Sequence, residues 1–296
     1  MIIKGINSEK CIKCLDCVKE CPSGLFYKPP TKIGEKRTVK FKGKEGCIEC
    51  GHCIAVCPTD AIIYKEAEEA LTFDKIKNPA SLVDYDTLLK FIQARRSIRR
   101  YKKEEVSKRD IEAILKAMRY APSAQNARSW KYIILQDKEK INKIRQSVIK
   151  MLKLLKKLVD HKKVLKYFMP RSIKEVITNP NEDTALDDFF ERIDKGEDPV
   201  FYNAPVLIIT YTSENNRFAD NDAGIALTHG ILAAQSRGLG ACWIGYAQEA
   251  LNRYKDLRKL LEIPKDMNIN GVLIIGYPDV EYHRIPPREP LDVEWL

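Results

Sequence analysis

Eight of the nine cysteines fall between Cys11 and Cys57, and this crowding constrains the chain more than any other feature. They form two runs. Cys11, Cys14, Cys17 and Cys21 precede Pro22, and Cys47, Cys50, Cys53 and Cys57 precede Pro58. The opening residues Met1 to Asn7 reach the cysteines without the 7–15-residue apolar core of a secretory signal. A dense cluster in that context reads as metal binding rather than as a disulfide scaffold. Structural zinc sites use two Cys-x2-4-Cys pairs separated by a spacer, and two triplets with a distal Cys-Pro fit that poorly.

Both runs have the spacing C-x2-C-x2-C-x3-C-P, and the chain here resembles the two-cluster bacterial ferredoxins. Cys21-Pro22-Ser23-Gly24-Leu25-Phe26 and Cys57-Pro58-Thr59-Asp60-Ala61-Ile62 look like the tails of two half-repeats. The resemblance implies two 4Fe–4S clusters. Three thiolates of a run hold one cube, and the fourth, on a helical turn ended by proline, reaches the other cube. One cluster is then expected on Cys11, Cys14, Cys17 and Cys57, the other on Cys47, Cys50, Cys53 and Cys21. The segment Pro22 to Gly46 exceeds what a minimal ferredoxin needs. Leu25 to Tyr27 and Thr38 to Phe41 could form an extra hairpin, but a plain surface insertion is the favoured expectation.

After Tyr64 a charge run, Lys65 to Ala70, leads to the turn residues Asn78 to Ser81, as suits an interdomain connection. The expected division is an iron–sulfur domain over 1–66, a linker over 67–84 and a second domain over 85–296. Asp86 or Thr87 can cap a helix carrying Leu88, Leu89, Phe91 and Ile92 on one face.

Four segments of the second domain resemble the FMN-dependent nitroreductase family, in that family's order. The first, Arg95-Arg96-Ser97-Ile98-Arg99-Arg100-Tyr101, offers guanidinium groups and a hydroxyl suited to a phosphate and ribityl chain. The second, Ala121-Pro122-Ser123-Ala124-Gln125-Asn126-Ala127-Arg128-Ser129-Trp130, is similar to the loop that approaches the flavin ring from the other subunit, with Arg128-Ser129 replacing the usual Gln-Pro. Third comes an apolar helix from Asp222, stopped at Gly238. It is followed by the strand Ala241-Cys242-Trp243-Ile244-Gly245-Tyr246, whose end faces the flavin N5 region in that family. Last are Ile274 to Pro278 and Pro286-Pro287-Arg288-Glu289-Pro290-Leu291, where Glu289 replaces the usual Lys. The resemblance implies FMN contacts from Arg95, Arg96, Ser97, Arg99, Pro122, Ser123, Ala124, Asn126, Ile244, Gly245, Tyr246 and Arg288, with Arg284 a weaker candidate. Cys242 reads as a small buried strand residue.

The fold class expected is α+β: a ferredoxin-like iron–sulfur module, then a nitroreductase-type helix-wrapped antiparallel sheet, dimeric with FMN at the subunit interface. The implied activity is passage of electrons between clusters and FMN to reduce a nitroaromatic, quinone or similar electron-poor substrate. An external ferredoxin or NAD(P)H is the donor. Two alternatives stay open: a pure electron carrier with FMN as relay to a protein partner, and reductive dehalogenation of a halogenated aromatic. The lysine-rich stretch Ile141 to Phe168 reads as an extended helix leading into a lid over Pro170–Pro199.

The net charge of +10 has no aromatic-interleaved basic patch or helix-turn-helix behind it, so a nucleic-acid partner is not expected. Bound cofactors offset part of it, since an oxidised cluster with its thiolates carries about −2 and an FMN phosphate about −2. No apolar run approaches the roughly 20 residues needed to span a bilayer. A cytoplasmic location is the expectation.

Overall fold

The repeat in the sequence becomes a repeat in the backbone. In the computed structural model, which describes residues 1–30, 38–162 and 178–296, each cysteine run ends in a five-residue helix. These are α1 (Asp16–Glu20) and α2 (His52–Val56). Each starts from a left-handed residue, Leu15 at φ 71° and Gly51 at φ 77°, and each ends on an extended fourth cysteine, Cys21 or Cys57. Lys13 and Glu49 are also left-handed, at φ 63° and 54°. Such a conformation costs a non-glycine residue of order 1–2 kcal/mol, so matched turns at matched positions belong to the design of each cysteine loop.

Strand β1 (Ile2–Ile6) pairs antiparallel with β4 (Ile62–Lys65) beyond the second run. Strand β2 (Phe26–Tyr27) pairs antiparallel with β3 (Lys40–Phe41). The segment after Pro22 is therefore not the plain insertion expected from the sequence. Phe26 and Phe41 bring their rings within 5.1 Å, and Phe26 is buried in a small core with Ile3, Leu25 and Ile62. That aromatic contact gives the short pairing its stability. Residues Met1–Tyr85 form one compact unit together with a four-residue return, Ala124–Ala127; Asp86–Ser123 and Arg128–Leu296 form the other. The stretch 67–84 is exposed and contains a single short 3-10 turn, Pro79–Ser81.

The second unit is built on a four-stranded antiparallel sheet in the order β5 (Lys131–Leu135), β6 (Val206–Ser213), β8 (Met267–Gly276), β7 (Gly240–Trp243). The central strands are apolar on both faces because both faces are covered. Leu207, Ile209, Val272 and Ile274 face a core that includes α5 (Lys138–Asp160), α6 (Pro180–Asp194), α8 (Gly245–Arg253) and α9 (Lys255–Leu260). Val206, Ile208, Leu273 and Ile275 face α4 (Lys108–Arg119) and α7 (Ala219–Ser236). Successive side chains point to opposite faces, which is how one strand serves two cores.

Helix α5 buries Ile144, Val148, Leu152 and Val159 along one stripe, with Leu155 and Leu158 partly buried beside it and Leu154 left exposed. The expected continuation to Phe168 and the first part of the expected lid lie outside the described residues. Helix α3 (Tyr85–Ala94) buries none of its residues, and Leu88 and Ile92 remain exposed. No helix among the described residues is long and apolar enough to cross a membrane.

Candidate functional site

The first unit holds two small cavities, each lined by four cysteines drawn from both runs. One is lined by Cys11, Cys14, Cys17 and Cys57 against Ile6, Val39 and Ile62. The other is lined by Cys21, Cys47, Cys50 and Cys53 against Leu25, Phe26 and Ile48. All eight are free thiols. The fourth cysteine of each run accepts an amide from four residues on: Leu25 N–H donates to Cys21 Sγ at 3.3 Å, and Ala61 N–H to Cys57 Sγ at 3.2 Å. Burial pulls the Cys57 thiol up, but amides at Ala61 and Thr59 favour its thiolate more, and the net shift is downward. Cys17 is pushed up to about 11 and Cys53 to about 12, first by burial and then by neighbouring cysteines. Cys17 and Cys53 thus hold their protons when bare, and a bound cation reverses that preference. No three His, Cys, Asp or Glu among the described residues converge on a single ion position.

A cavity of about 630 Å³ in the second unit opens where β7 runs into α8. A short tract of chain builds it. Ile98 N–H donates to Ala241 O at 3.0 Å and Ser97 bridges Ala241, so the arginine-rich segment lies along the edge of β7. Tyr101, itself bridged to Pro278, donates its hydroxyl to Ile98 O at 2.7 Å. Burial holds the Tyr101 phenol well above the usual tyrosine range, so it stays neutral. Gly240 is required here because an added Cβ would come within 2.8 Å of Ile98 Cβ.

Arg99 is thereby delivered to the cavity, where it meets Ile244, Gly245 and Tyr246. Helix α8 starts at Gly245 without a side-chain cap, and Gly245 and Tyr246 of its first turn line the opening. Trp243 donates its indole N–H to Gln248 at 3.3 Å, and both line the same space. The opposite wall carries Tyr202, with the Arg99 guanidinium 6.0 Å and the Arg192 guanidinium 5.6 Å from its ring centre. Arg192 is also bound to Glu197 at 2.7 Å, and that hydrogen bond raises its pKa. Sequence reasoning missed Tyr202 and Arg192. Tyr202 and Asn203 both sit at positive φ, 55° and 56°, and nothing in the local sequence signals that.

The other residues expected at one site are spread more widely in the single chain. Arg95 and Arg96 line a separate cavity of about 220 Å³ with Gln235, Gly240 and Tyr282. Arg96 donates to the carbonyls of Gln93 and Arg95, each at 2.6 Å, and to Arg284 at 3.4 Å, so it caps the end of α3. Pro122 is exposed, and Ser123 Oγ accepts the Arg128 amide at 2.9 Å. Ala124 and Asn126 lie in a 3-10 turn that belongs with the first unit, where Asn126 Nδ2 donates to Ile48 O at 3.0 Å. Ser129, which stands where a proline was expected, accepts from Thr212 at 2.9 Å and from Asn216 at 2.6 Å. Those two bonds fix the loop that a proline ring would stiffen. Arg288 lies on the exposed stretch after β8 and lines neither cavity.

Residues 92–277 match the sequence model of the Nitroreductase family, and residues 10–61 match that of a 4Fe-4S dicluster domain. The FMN reductase [NAD(P)H] of Bacillus subtilis is 31% identical over 64% of this chain and 66% of its own length. The iodotyrosine deiodinase of Thermotoga neapolitana is 23% identical over 66% of this chain and 90% of its own length. A solved nitroreductase with bound FMN from Desulfitobacterium hafniense superposes with a TM-score of 0.52 at 22% identity, over 70% of this chain and 97% of that one.

Proposed function

We infer the activity from one premise: this chain belongs to the nitroreductase family and carries a 4Fe-4S domain ahead of the family's fold. It is accordingly an FMN-dependent oxidoreductase. The finer reading is an iron–sulfur flavoprotein that links two 4Fe–4S clusters to FMN and reduces a nitroaromatic, a quinone or a similar electron-poor molecule. The observation that carries it is the crossed sulfur ring. Each cavity of the first unit takes three thiols from one run and one from the other. Four thiols spread around a cavity suit a cube of iron and sulfide better than a lone ion, which draws its ligands to about 2.3 Å.

When bound, FMN would take electrons singly or in pairs and a cluster singly, so together they can join one-electron supply to two-electron reduction. The chain's own groups supply binding and orientation. Arg99 offers a fixed cation to the electron-rich edge of the flavin ring, and Gly245 offers an amide at the start of α8. The phosphate falls to Arg95 and Ser97, with Arg288 able to join from the exposed stretch after β8 and Arg96 partly committed to capping. Pro122, Ser123, Ala124 and Ile244 supply small or apolar surface, and Trp243 and Tyr246 narrow access to the ring. Two-electron reduction of a nitro group also takes up two protons and releases water. No acid–base pair in the cavity is needed if those protons come from solvent.

A second copy of the chain completes the site in this reading. Leu88 and Ile92 on α3, and Leu291, Val293, Trp295 and Leu296 beyond β8, are all exposed in the single chain. Exposed apolar side chains such as these suit cover by a second copy. Cluster thiolates require a reducing compartment, which is why the cytoplasm is the proposed location. An external ferredoxin or NAD(P)H serves as donor. Reductive dehalogenation is a second reading, favoured by the likeness to the Thermotoga neapolitana deiodinase.

Anaerobic purification should give about eight iron, eight sulfide and one FMN per chain. Photoreduced protein mixed with a nitroaromatic should turn over once, faster than free FMN does; an unreactive substrate and intact cofactors would instead leave an electron carrier. Cys57→Ser should deplete the site of Cys11, Cys14 and Cys17 and spare the other. Zinc in place of iron and sulfide ends the cluster reading.

A further inference from the structure

The two cysteine loops are near copies, yet only one of them is anchored. Cys11-Ile12-Lys13-Cys14 and Cys47-Ile48-Glu49-Cys50 share their spacing and a left-handed third residue. Ile12 is 61% exposed, and among the described residues nothing bonds to its carbonyl. Ile48 is half-buried, lines the second cavity, and accepts Asn126 Nδ2 at 3.0 Å. Asn126 arrives on the return Ala124–Ala127, which packs as part of the first unit. Its φ of 55° is one that asparagine tolerates better than most side chains. A single residue type therefore satisfies the turn and supplies the donor.

We propose that Asn126 is a positioning residue for the second iron–sulfur site: by holding the Ile48 carbonyl it orients the Ile48–Glu49 peptide and raises that site's reduction potential above the first. The inference rests on the two-cluster reading. In a trans peptide the N–H points opposite to the C=O. In this proposal a carbonyl drawn out toward Asn126 turns the Glu49 N–H away from it, toward the cavity that Cys47 and Cys50 line. Donors and amide dipoles near cluster sulfurs stabilise the more negative, reduced state. The Ile12–Lys13 peptide has a matching left-handed residue but, among the described residues, no such hydrogen bond to hold it in place. Cys14 is the one exposed cysteine of the eight, so an electron entering at the first site would run downhill to the second.

The test is a potentiometric titration, followed by electron paramagnetic resonance, of the full-length anaerobic protein and of Asn126→Gly and Asn126→Asp. Glycine keeps the positive φ and drops the amide, while aspartate keeps the shape but sets an acceptor against the carbonyl. Signals are assigned with Cys21→Ser and Cys57→Ser. In both Asn126 variants the second site's one-electron reduction equilibrium should shift about tenfold toward the oxidised form, a 59 mV fall, with the first site unmoved. Loss of iron from the second site alone also counts for the positioning role. Unchanged potentials, or equal movement of both sites, overturn the inference. Wild-type protein that binds no iron sinks the two-cluster reading instead, and the metal count separates the two failures.

Discussion

Asp198 offers the sharpest test of how the large cavity is held. Its side chain is buried, at 7% exposure, and its two oxygens are fully used. Oδ1 accepts the amides of Val200 and Phe201, each at 3.1 Å, and Oδ2 accepts that of Asn203, also at 3.1 Å. The Asp198 carbonyl takes the Tyr202 amide at 2.9 Å, and Arg145 lies 3.9 Å from Oδ2. This wrapping keeps Tyr202 and Asn203 left-handed and sets Tyr202 between two arginines. In Asp198→Ala the amides of Val200 and Phe201 lose their acceptor in a buried setting, whereas exposed Asn203 can turn to water. At about 1–3 kcal/mol for each stranded buried donor, the loss is about 2–6 kcal/mol. Asp198→Asn can keep its one oxygen on the amides of Val200 and Phe201, so a loss well below that of Asp198→Ala is expected. Urea unfolding followed by tryptophan fluorescence reads the second unit alone, because Trp130, Trp243 and Trp295 all lie in it. FMN retention should fall along with stability, since Pro199, Val200 and Tyr202 line the cavity. A change below about 0.5 kcal/mol in Asp198→Ala, within the scatter of surface substitutions, would refute this account of the loop.

Two further perturbations probe other parts of the second unit. Gly240→Ala should cost about 1–3 kcal/mol through overpacking against Ile98 and weaken FMN binding, and adding Ile98→Ala should restore part of both in the same assays. Asp110 accepts from Ser107 Oγ at 2.7 Å, Arg237 Nε at 2.7 Å and Tyr277 OH at 3.3 Å, and these partners, Ser107 first, hold its carboxyl below the usual range. A depressed folded pKa gives stability that is present above the unfolded value of about 3.9 and lost as pH falls through the folded one. Asp110→Asn should therefore cost about 1–2 kcal/mol at pH 7 and unfold with a flatter acid limb below about pH 4 in a pH-dependent melting series.

Several features were legible because they depend on neighbours in sequence. Cysteine spacing and the Cys-Pro endings announced the repeat, and each loop repeats its left-handed turns without help from elsewhere. The helix stopped at Gly238 and the strand that follows it from Ala241 were equally plain, because an apolar run and a glycine stop act over a few residues. The pairing of Phe26–Tyr27 with Lys40–Phe41 was misjudged, since two-residue strands leave no pattern and depend on one aromatic contact. Arg192 and Tyr202 escaped notice for a different reason. Their role comes from Asp198 bending the backbone, and from Arg99 arriving from a segment roughly a hundred residues earlier.

The sequence alone determined which groups are available: eight thiols in two matched runs, a basic segment with a central serine, and an apolar strand ending in Trp-Ile-Gly. Those are properties of composition and local spacing. Only the tertiary structure decided who meets whom: Arg99 with Tyr202, Asn126 with Ile48. Each of these meetings is a contact between residues far apart along the chain, fixed by how strands and helices pack, and local propensity holds no record of it.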